Sequence, residues 1–220
     1  MYVIAHQGDI SSFPGNSMDA FESAVICTKG FDMIELDIQM TKDDCIIIFH
    51  DSILKNTFIR NLTLKEVCEE APQVLVFEMF YETFMMQHTS IRYYLDIKGS
   101  DSICLPLVNL LENYPHPENI FLASFQFPIL EVLSSLTSRY KLGFISENSF
   151  SANLLRLFFQ KYPLHFISIY WKVINPTMVS FCKRHGVLVF VYTCRTIQDW
   201  EHIVRMNVDG VVTDVPLSIS

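Results

Sequence analysis

Apolar and polar residues alternate along this chain in short bursts. Runs of four to six residues, nearly all apolar, fall at Tyr2–Ala5, Met33–Ile38, Ile46–Phe49, Tyr93–Ile97, Ile120–Ala123, Leu142–Ile145, Phe166–Ile169, Val187–Tyr192 and Gly210–Thr213. Between most of them lie longer segments with helical spacing: Ser17–Lys29, Leu64–Glu70, Val74–Gln87, Leu105–Glu112, Pro128–Leu136, Ala152–Tyr162, Pro176–His185 and Ile197–Met206. Asn16 and Ser151 stand where N-caps belong. Buried strands alternating with helices predict a parallel sheet with helical crossovers. One connection differs. Only seven residues separate Met33–Ile38 from Ile46–Phe49, and a parallel crossover needs about a dozen or more. These two runs predict an antiparallel hairpin. Eight strands then remain for the parallel set, which suits an α/β fold of the (β/α)8 TIM-barrel type with an extra hairpin strand after the second. A doubly wound open sheet is the runner-up, but "HQGDISSFPG" after the first strand is not the glycine-rich turn that fold uses.

Composition narrows the classes. The chain has 220 residues, half of them hydrophobic and 18% charged, enough for a large core in one domain spanning 1–220. Its net charge of -8 argues against nucleic acid, whose binders show a basic face. No N-terminal signal pattern and no apolar stretch of roughly 18 residues is present, so the expectation is a cytoplasmic protein without a transmembrane segment. The six cysteines show no zinc spacing and read as reduced thiols. Asn61-Leu62-Thr63 matches a glycosylation acceptor and is read as chance in such a chain.

Charge appears where a core should be. In "MIELDIQM", Glu35 and Asp37 lie two apart and so face one side of a strand. Burying two unpaired carboxylates together is costly. His6 ends the first strand, His50 and Asp51 end the hairpin, and Asp96 and Lys98 close the third barrel strand. Barrel enzymes carry their chemistry at such strand ends. Glu35, Asp37 and Asp96 are three hard oxygen donors, suited to Mg²⁺ or Ca²⁺ rather than zinc. Two histidines can move protons near neutrality, and Lys98 can neutralise a phosphate oxygen. The set describes phosphodiester cleavage. Read singly, each piece is bland: a structural histidine, an exposed strand face, an N-cap.

Together "AHQGD", "PGNS..AF..A", "IELDIQMTKDDCIIIFHD", "LDIK", "ASF" and "VDGVVTDVP" resemble the glycerophosphodiester phosphodiesterase family, in order from residue 3 to residue 216. The resemblance implies a barrel that uses one divalent cation, Mg²⁺ or Ca²⁺, and a histidine pair to hydrolyse glycerophosphodiesters to glycerol 3-phosphate and an alcohol. It implies His6 and His50 as acid and base, Glu35, Asp37 and Asp96 as metal ligands, and Lys98 facing the phosphate. Phe125 and Tyr192 then line the substrate pocket, and Asn16 positions His6 or the phosphate. Four departures matter. Gln7 stands where the family has Arg, Gly15 where it has Glu, Asp96 where it has Glu, and Tyr192-Thr193-Cys194-Arg195 where it has Trp-Thr-x-Asn. Gln7 can hydrogen-bond a phosphate but offers no charged fork, so Arg195 is expected to supply the missing charge. Two alternatives stay open. One is lysophospholipase D- or sphingomyelinase D-like cleavage of lipid headgroups. There, residues 74–86 would make peripheral membrane contact, although the run reads first as a buried helix face. The other is a degenerate barrel that binds phosphodiesters without cleaving them.

Overall fold

The computed structural model describes residues 1–26 and 30–215. The chain opens with β1 (Tyr2–Ala5), α1 (Met18–Ile26) and β2 (Met33–Met40). β3 (Ile46–Ile48) folds back antiparallel on β2, in the register Ile38↔Ile48 and Met40↔Ile46. A small hairpin follows, β4 (Ile53–Leu54) with β5 (Thr57–Phe58), then α2 (Leu64–Glu70), β6 (Leu75–Val76) and α3 (Phe77–Phe80). From there strands and helices alternate: β7 (Arg92–Ile97), α4 (Cys104–Leu111), β8 (Ile120–Ser124), α5 (Phe127–Leu136), β9 (Lys141–Ser146) and α6 (Ala152–Lys161). The series ends with β10 (Phe166–Tyr170), α7 (Pro176–Arg184), β11 (Leu188–Cys194), α8 (Ile197–Val204) and β12 (Gly210–Thr213). The expected barrel forms: β1 pairs in parallel with β12 on one side and β2 on the other, so the eight-strand sheet closes.

Two sequence expectations change. Val74–Gln87 is not one helix. β3 has a free edge beyond β2, and Leu75–Val76 pair with it antiparallel, which satisfies backbone groups that would otherwise be orphaned. A turn of α-helix and a wider π-type turn (Tyr81–Met85) complete the segment. Its Phe77, Phe80, Tyr81, Phe84 and Met85 are buried, while Met79 and Met86 are exposed, so one face of this run belongs to the core. At α1 the cap is Ser17, not Asn16: Ser17 Oγ accepts the Ala20 N–H at 3.3 Å. Ser151 does cap α6. Thr63, the last residue of the acceptor-like triplet, caps α2 in a reciprocal box with Glu66. The helix expected over Ser17–Lys29 is seen to Ile26, and residues 27–29, Cys27 among them, lie outside the described residues. The other five cysteines are free, three of them buried.

Hydrophobic packing forms two main layers, with a small third cluster of Ile47, Ile59 and Val67 beside β3. The larger lies between strands and helices. The smaller fills the barrel axis, with Ile4, Met33, Tyr94, Phe121, Phe166 and Phe190 in contact. The rings of Phe166 and Phe190 lie 5.0 Å apart. Gly143 and Gly210 make room for them, since a Cβ at either would strike the Phe166 or Phe190 ring. Gly143→Ala is therefore expected to cost roughly 1–3 kcal/mol by overpacking, read as a drop of several degrees in the thermal midpoint. An unchanged midpoint would show that the axis has slack.

Candidate active site

The two-residue period of the strands carries each one from core to chemistry. Positions facing the axis are apolar low in the barrel, and those two or four residues further on are polar. Thus Ile4 leads to His6, Met33 to Glu35 and Asp37, Tyr94 to Asp96 and Lys98, and Val212 to Asp214. With His50 beyond β3, these strand ends surround a cavity of about 250 Å³ lined by both histidines, the three carboxylates and Lys98.

Glu35, Asp37 and Asp96 are buried, and their carboxylate oxygens lie within 4.8 Å of one another. Asp37 and Asp96 are direct cross-strand partners. Asp37 is fully engaged. Its Oδ2 accepts Gln7 Nε2 and Asn16 Nδ2, each at 2.8 Å, and its Oδ1 meets Lys98 Nζ at 2.7 Å. Glu35 Oε2 accepts the Gln7 backbone N–H at 2.9 Å. Asp96 Oδ1 is buried and has no hydrogen-bond partner among the described residues. Burial, then repulsion from Asp37, pushes Glu35 up to about 8 and Asp96 up to about 7. Burial also pushes Asp37 up, but Lys98 and then His50 outweigh it and hold it below the usual carboxylate range. Three hard donors, one with an orphaned oxygen and two reluctant to ionise without more positive charge, fit a divalent cation.

The histidines are each backed by a carboxylate. His6 Nδ1 lies 2.6 Å from Asp214 Oδ1, and Arg195 Nε donates to Asp214 Oδ2 at 3.2 Å. Burial would lower the His6 pKa; the hydrogen bond to Asp214 and the charge of Glu35 overcome this and raise it. His50 Nδ1 lies 2.8 Å from Asp51 Oδ1. Lys98 spans the two regions, donating to the His50 carbonyl at 3.0 Å while paired with Asp37. Burial disfavours its charge, but Asp37 and Asp96 outweigh that and raise its pKa.

All the sequence candidates line the cavity except Gln7 and Asn16. Those two sit beside it in left-handed backbone, with φ of 55° and 56°, and donate their side-chain amides to Asp37. Gln7 also lies over Gly15: a Cβ there would run into its side-chain oxygen. The two departures at positions 7 and 15 are thus one packing arrangement. Asp214, Glu147, Ser168 and Tyr94 were not foreseen. Asp214 follows Val212 by two in the quoted "VDGVVTDVP", so strand parity was the available signal.

Solved structures share this architecture. A glycerophosphodiester phosphodiesterase from Parabacteroides distasonis superposes with a TM-score of 0.85 at 20% identity, covering 98% of this chain and 93% of that one. An Oleispira antarctica phosphodiesterase in complex with the product sn-glycerol-3-phosphate gives 0.84, also at 20% identity, covering 98% and 94%. In fold, the protein is a TIM barrel of the kind those enzymes use. The model of the glycerophosphoryl diester phosphodiesterase family matches residues 6–71 and 60–218. A glycerophosphodiester phosphodiesterase from Caldanaerobacter subterraneus subsp. tengcongensis is 29% identical over 234 residues, 97% of this chain and 94% of that protein. The rat lysophospholipase D GDPD1 is 28% identical over 141 residues, covering 63% of this chain and 41% of that protein. The chain belongs to the glycerophosphoryl diester phosphodiesterase family and is a phosphoric diester hydrolase.

Proposed function

We propose that this protein hydrolyses glycerophosphodiesters to glycerol 3-phosphate and an alcohol, using one divalent cation, Mg²⁺ or Ca²⁺, and the pair His6 and His50. The observation that carries this reading is the gathering of three buried carboxylates, Lys98 and two carboxylate-backed histidines around one cavity. Glu35, Asp37 and Asp96 would hold the cation, which when bound acts as a Lewis acid on a phosphate oxygen. Lys98, fixed by Asp37 and the His50 carbonyl, offsets charge developing on the phosphoryl oxygens. Each histidine commits Nδ1 to a carboxylate, leaving Nε2 for proton transfer. One takes the proton from the attacking hydroxyl, and the other gives a proton to the departing alkoxide.

Arg195 lines the cavity and grips Asp214, the partner of His6. In this reading it both adds positive charge and holds Asp214 in place. Arg195→Ala is expected to lower kcat/KM about ten- to a hundredfold, the worth of one charge-assisted contact, with little change in stability because the side chain is 69% exposed. Near-normal kcat/KM would show that neither role matters.

The reading is tested by following glycerol 3-phosphate release from glycerophosphodiesters with Mg²⁺, with Ca²⁺ and after chelation. Release that stops on chelation and returns with one of the two ions supports it. Release indifferent to chelation would refute the cation's part, and absence of release from all substrates would refute the reading. The partial likeness to a lysophospholipase D favours adding lysophosphatidylcholine as a second substrate.

A further inference from the structure

The strand that supplies Glu35 and Asp37 carries one more polar residue on the same side. Gln39 follows Asp37 by two in β2 and is buried. It does not line the catalytic cavity. Its Nε2 donates twice, to the Phe49 carbonyl at 2.7 Å and to the Asp51 carbonyl at 3.0 Å. Carbonyl oxygens only accept, so the amide nitrogen must face them. These two carbonyls flank His50. The carbonyl between them, that of His50 itself, accepts Lys98 Nζ at 3.0 Å. Three consecutive carbonyls therefore end on side chains rather than on a sheet ladder. His50 needs such support more than His6 does. β3 stops at Ile48, and the Phe49 N–H still reaches back to the Asp37 carbonyl at 3.0 Å. His50 stands one residue further out and is exposed. Its ring rests on Asp51, which belongs to the same segment. That bond orients the ring but cannot fix the segment. His6 differs: its N–H bonds the Thr213 carbonyl at 3.1 Å and its ring bonds Asp214, both from the end of β12.

We propose that Gln39 is a positioning residue that acts through His50: its one planar amide clamps the backbone on both sides of that histidine and so sets where the imidazole stands. This rests on the proposed function above, in which His50 transfers a proton. A displacement of about 1 Å at a reacting group costs roughly a hundredfold in rate, and an exposed segment beyond a strand end has little else to hold it that closely. The far side of Gln39 borders a second cavity, of about 200 Å³, shared with Ser52, Arg60 and Gln126. Water from that polar side can replace a lost amide at the two carbonyls. Removing the amide is therefore expected to loosen His50 without unfolding the barrel.

The test uses Q39M, which keeps length and bulk but has no donor, and Q39N, which keeps the amide but is one methylene too short to hold both carbonyls. Q39M is expected to lower kcat about ten- to a hundredfold, with KM and cation affinity nearly unchanged, and Q39N to fall between it and the wild type. The same Q39M change made in His50→Ala should cost less than about twofold, because the group it positions is gone. The ring-proton NMR signals of the chelated protein, assigned by their loss in His6→Ala and His50→Ala, give a readout that needs no turnover. In Q39M the His50 signal should shift or broaden and the His6 signal stay in place. If Q39M does not fold, Q39N carries the same comparisons. An unmoved His50 signal, equal movement of both signals, a loss of kcat that persists in full in His50→Ala, or a loss explained by weaker cation binding would overturn the proposal. A wild type without turnover would instead remove the proposed function, and the two ring signals would still decide whether Gln39 holds His50.

Discussion

His6→Ala is expected to cut turnover by roughly 10²–10⁴-fold, the range for losing a general acid or base, and His50→Ala by a similar factor. The two imidazoles are held alike, Nδ1 on Asp214 at 2.6 Å and Nδ1 on Asp51 at 2.8 Å, so each presents the same nitrogen for proton exchange. They differ in setting, because the His6 side chain is 21% exposed and that of His50 is 56% exposed. If both act in one displacement, their losses cannot simply multiply, and the double variant should be little worse than the poorer single one. Steady-state kinetics on all three variants, with cation affinity measured alongside, check this. A loss explained by weaker cation binding, or an active double variant, would remove the histidines from the chemistry.

Asp96→Asn is expected to do two opposite things. It should lower kcat/KM by more than the roughly 10–100-fold that a lost supporting hydrogen bond costs a metal site, because in the proposed function Asp96 is one of the three carboxylates that would hold the cation. It should also make the chelated protein more stable, by ~1–2 kcal/mol or about 2–8 °C in midpoint. The wild type buries three carboxylates together, and Asp96 Oδ1 has no hydrogen-bond partner among the described residues. The sign can be followed through pH. Glu35 and Asp96 are raised from 4.5 and 3.8 to about 8 and about 7. Between about pH 4 and pH 8 the folded chelated protein therefore holds protons that the unfolded chain has released, and its stability falls as pH rises. Asp37, held low, works the other way, losing its contribution only as the medium turns acid. In Asp96→Asn the decline toward pH 8 should be shallower. Thermal melts of chelated protein from pH 5 to pH 8 decide it. A destabilised variant, or a wild type that gains stability across this range, would contradict the burial argument.

The barrel was legible because its strands are short, nearly uniform apolar runs, while a seven-residue link marked the hairpin by length alone. The carboxylates and histidines were legible because parity within a strand is local: Glu35 and Asp37 must share a side. What escaped depends on partners far off in sequence. Parity with Val212 marks the side of the strand end on which Asp214 lies, but its bond to His6 spans 208 positions, and no single-sequence period encodes that pairing. Residues 74–87 were legible only in part: Phe77, Phe80, Tyr81, Phe84 and Met85 keep helical spacing, but the open edge of β3 takes Leu75–Val76 as a strand. For Gln7 and Asn16 the sequence shows neither backbone conformation nor partner. Their left-handed backbone turns both amides onto Asp37.

The contact of Gln7 with Gly15 has an evolutionary consequence. A side chain at 15 and the amide at 7 compete for one volume, and Gln7 is tied there by its bond to Asp37. Substitutions at the two positions are therefore epistatic. Enlarging residue 15 first forces Gln7 off Asp37, whereas changing residue 7 first leaves Gly15 merely unfilled. A lineage exchanging this pair for larger residues has a permissive order, 7 before 15, and a lineage arriving at it by small steps has the reverse.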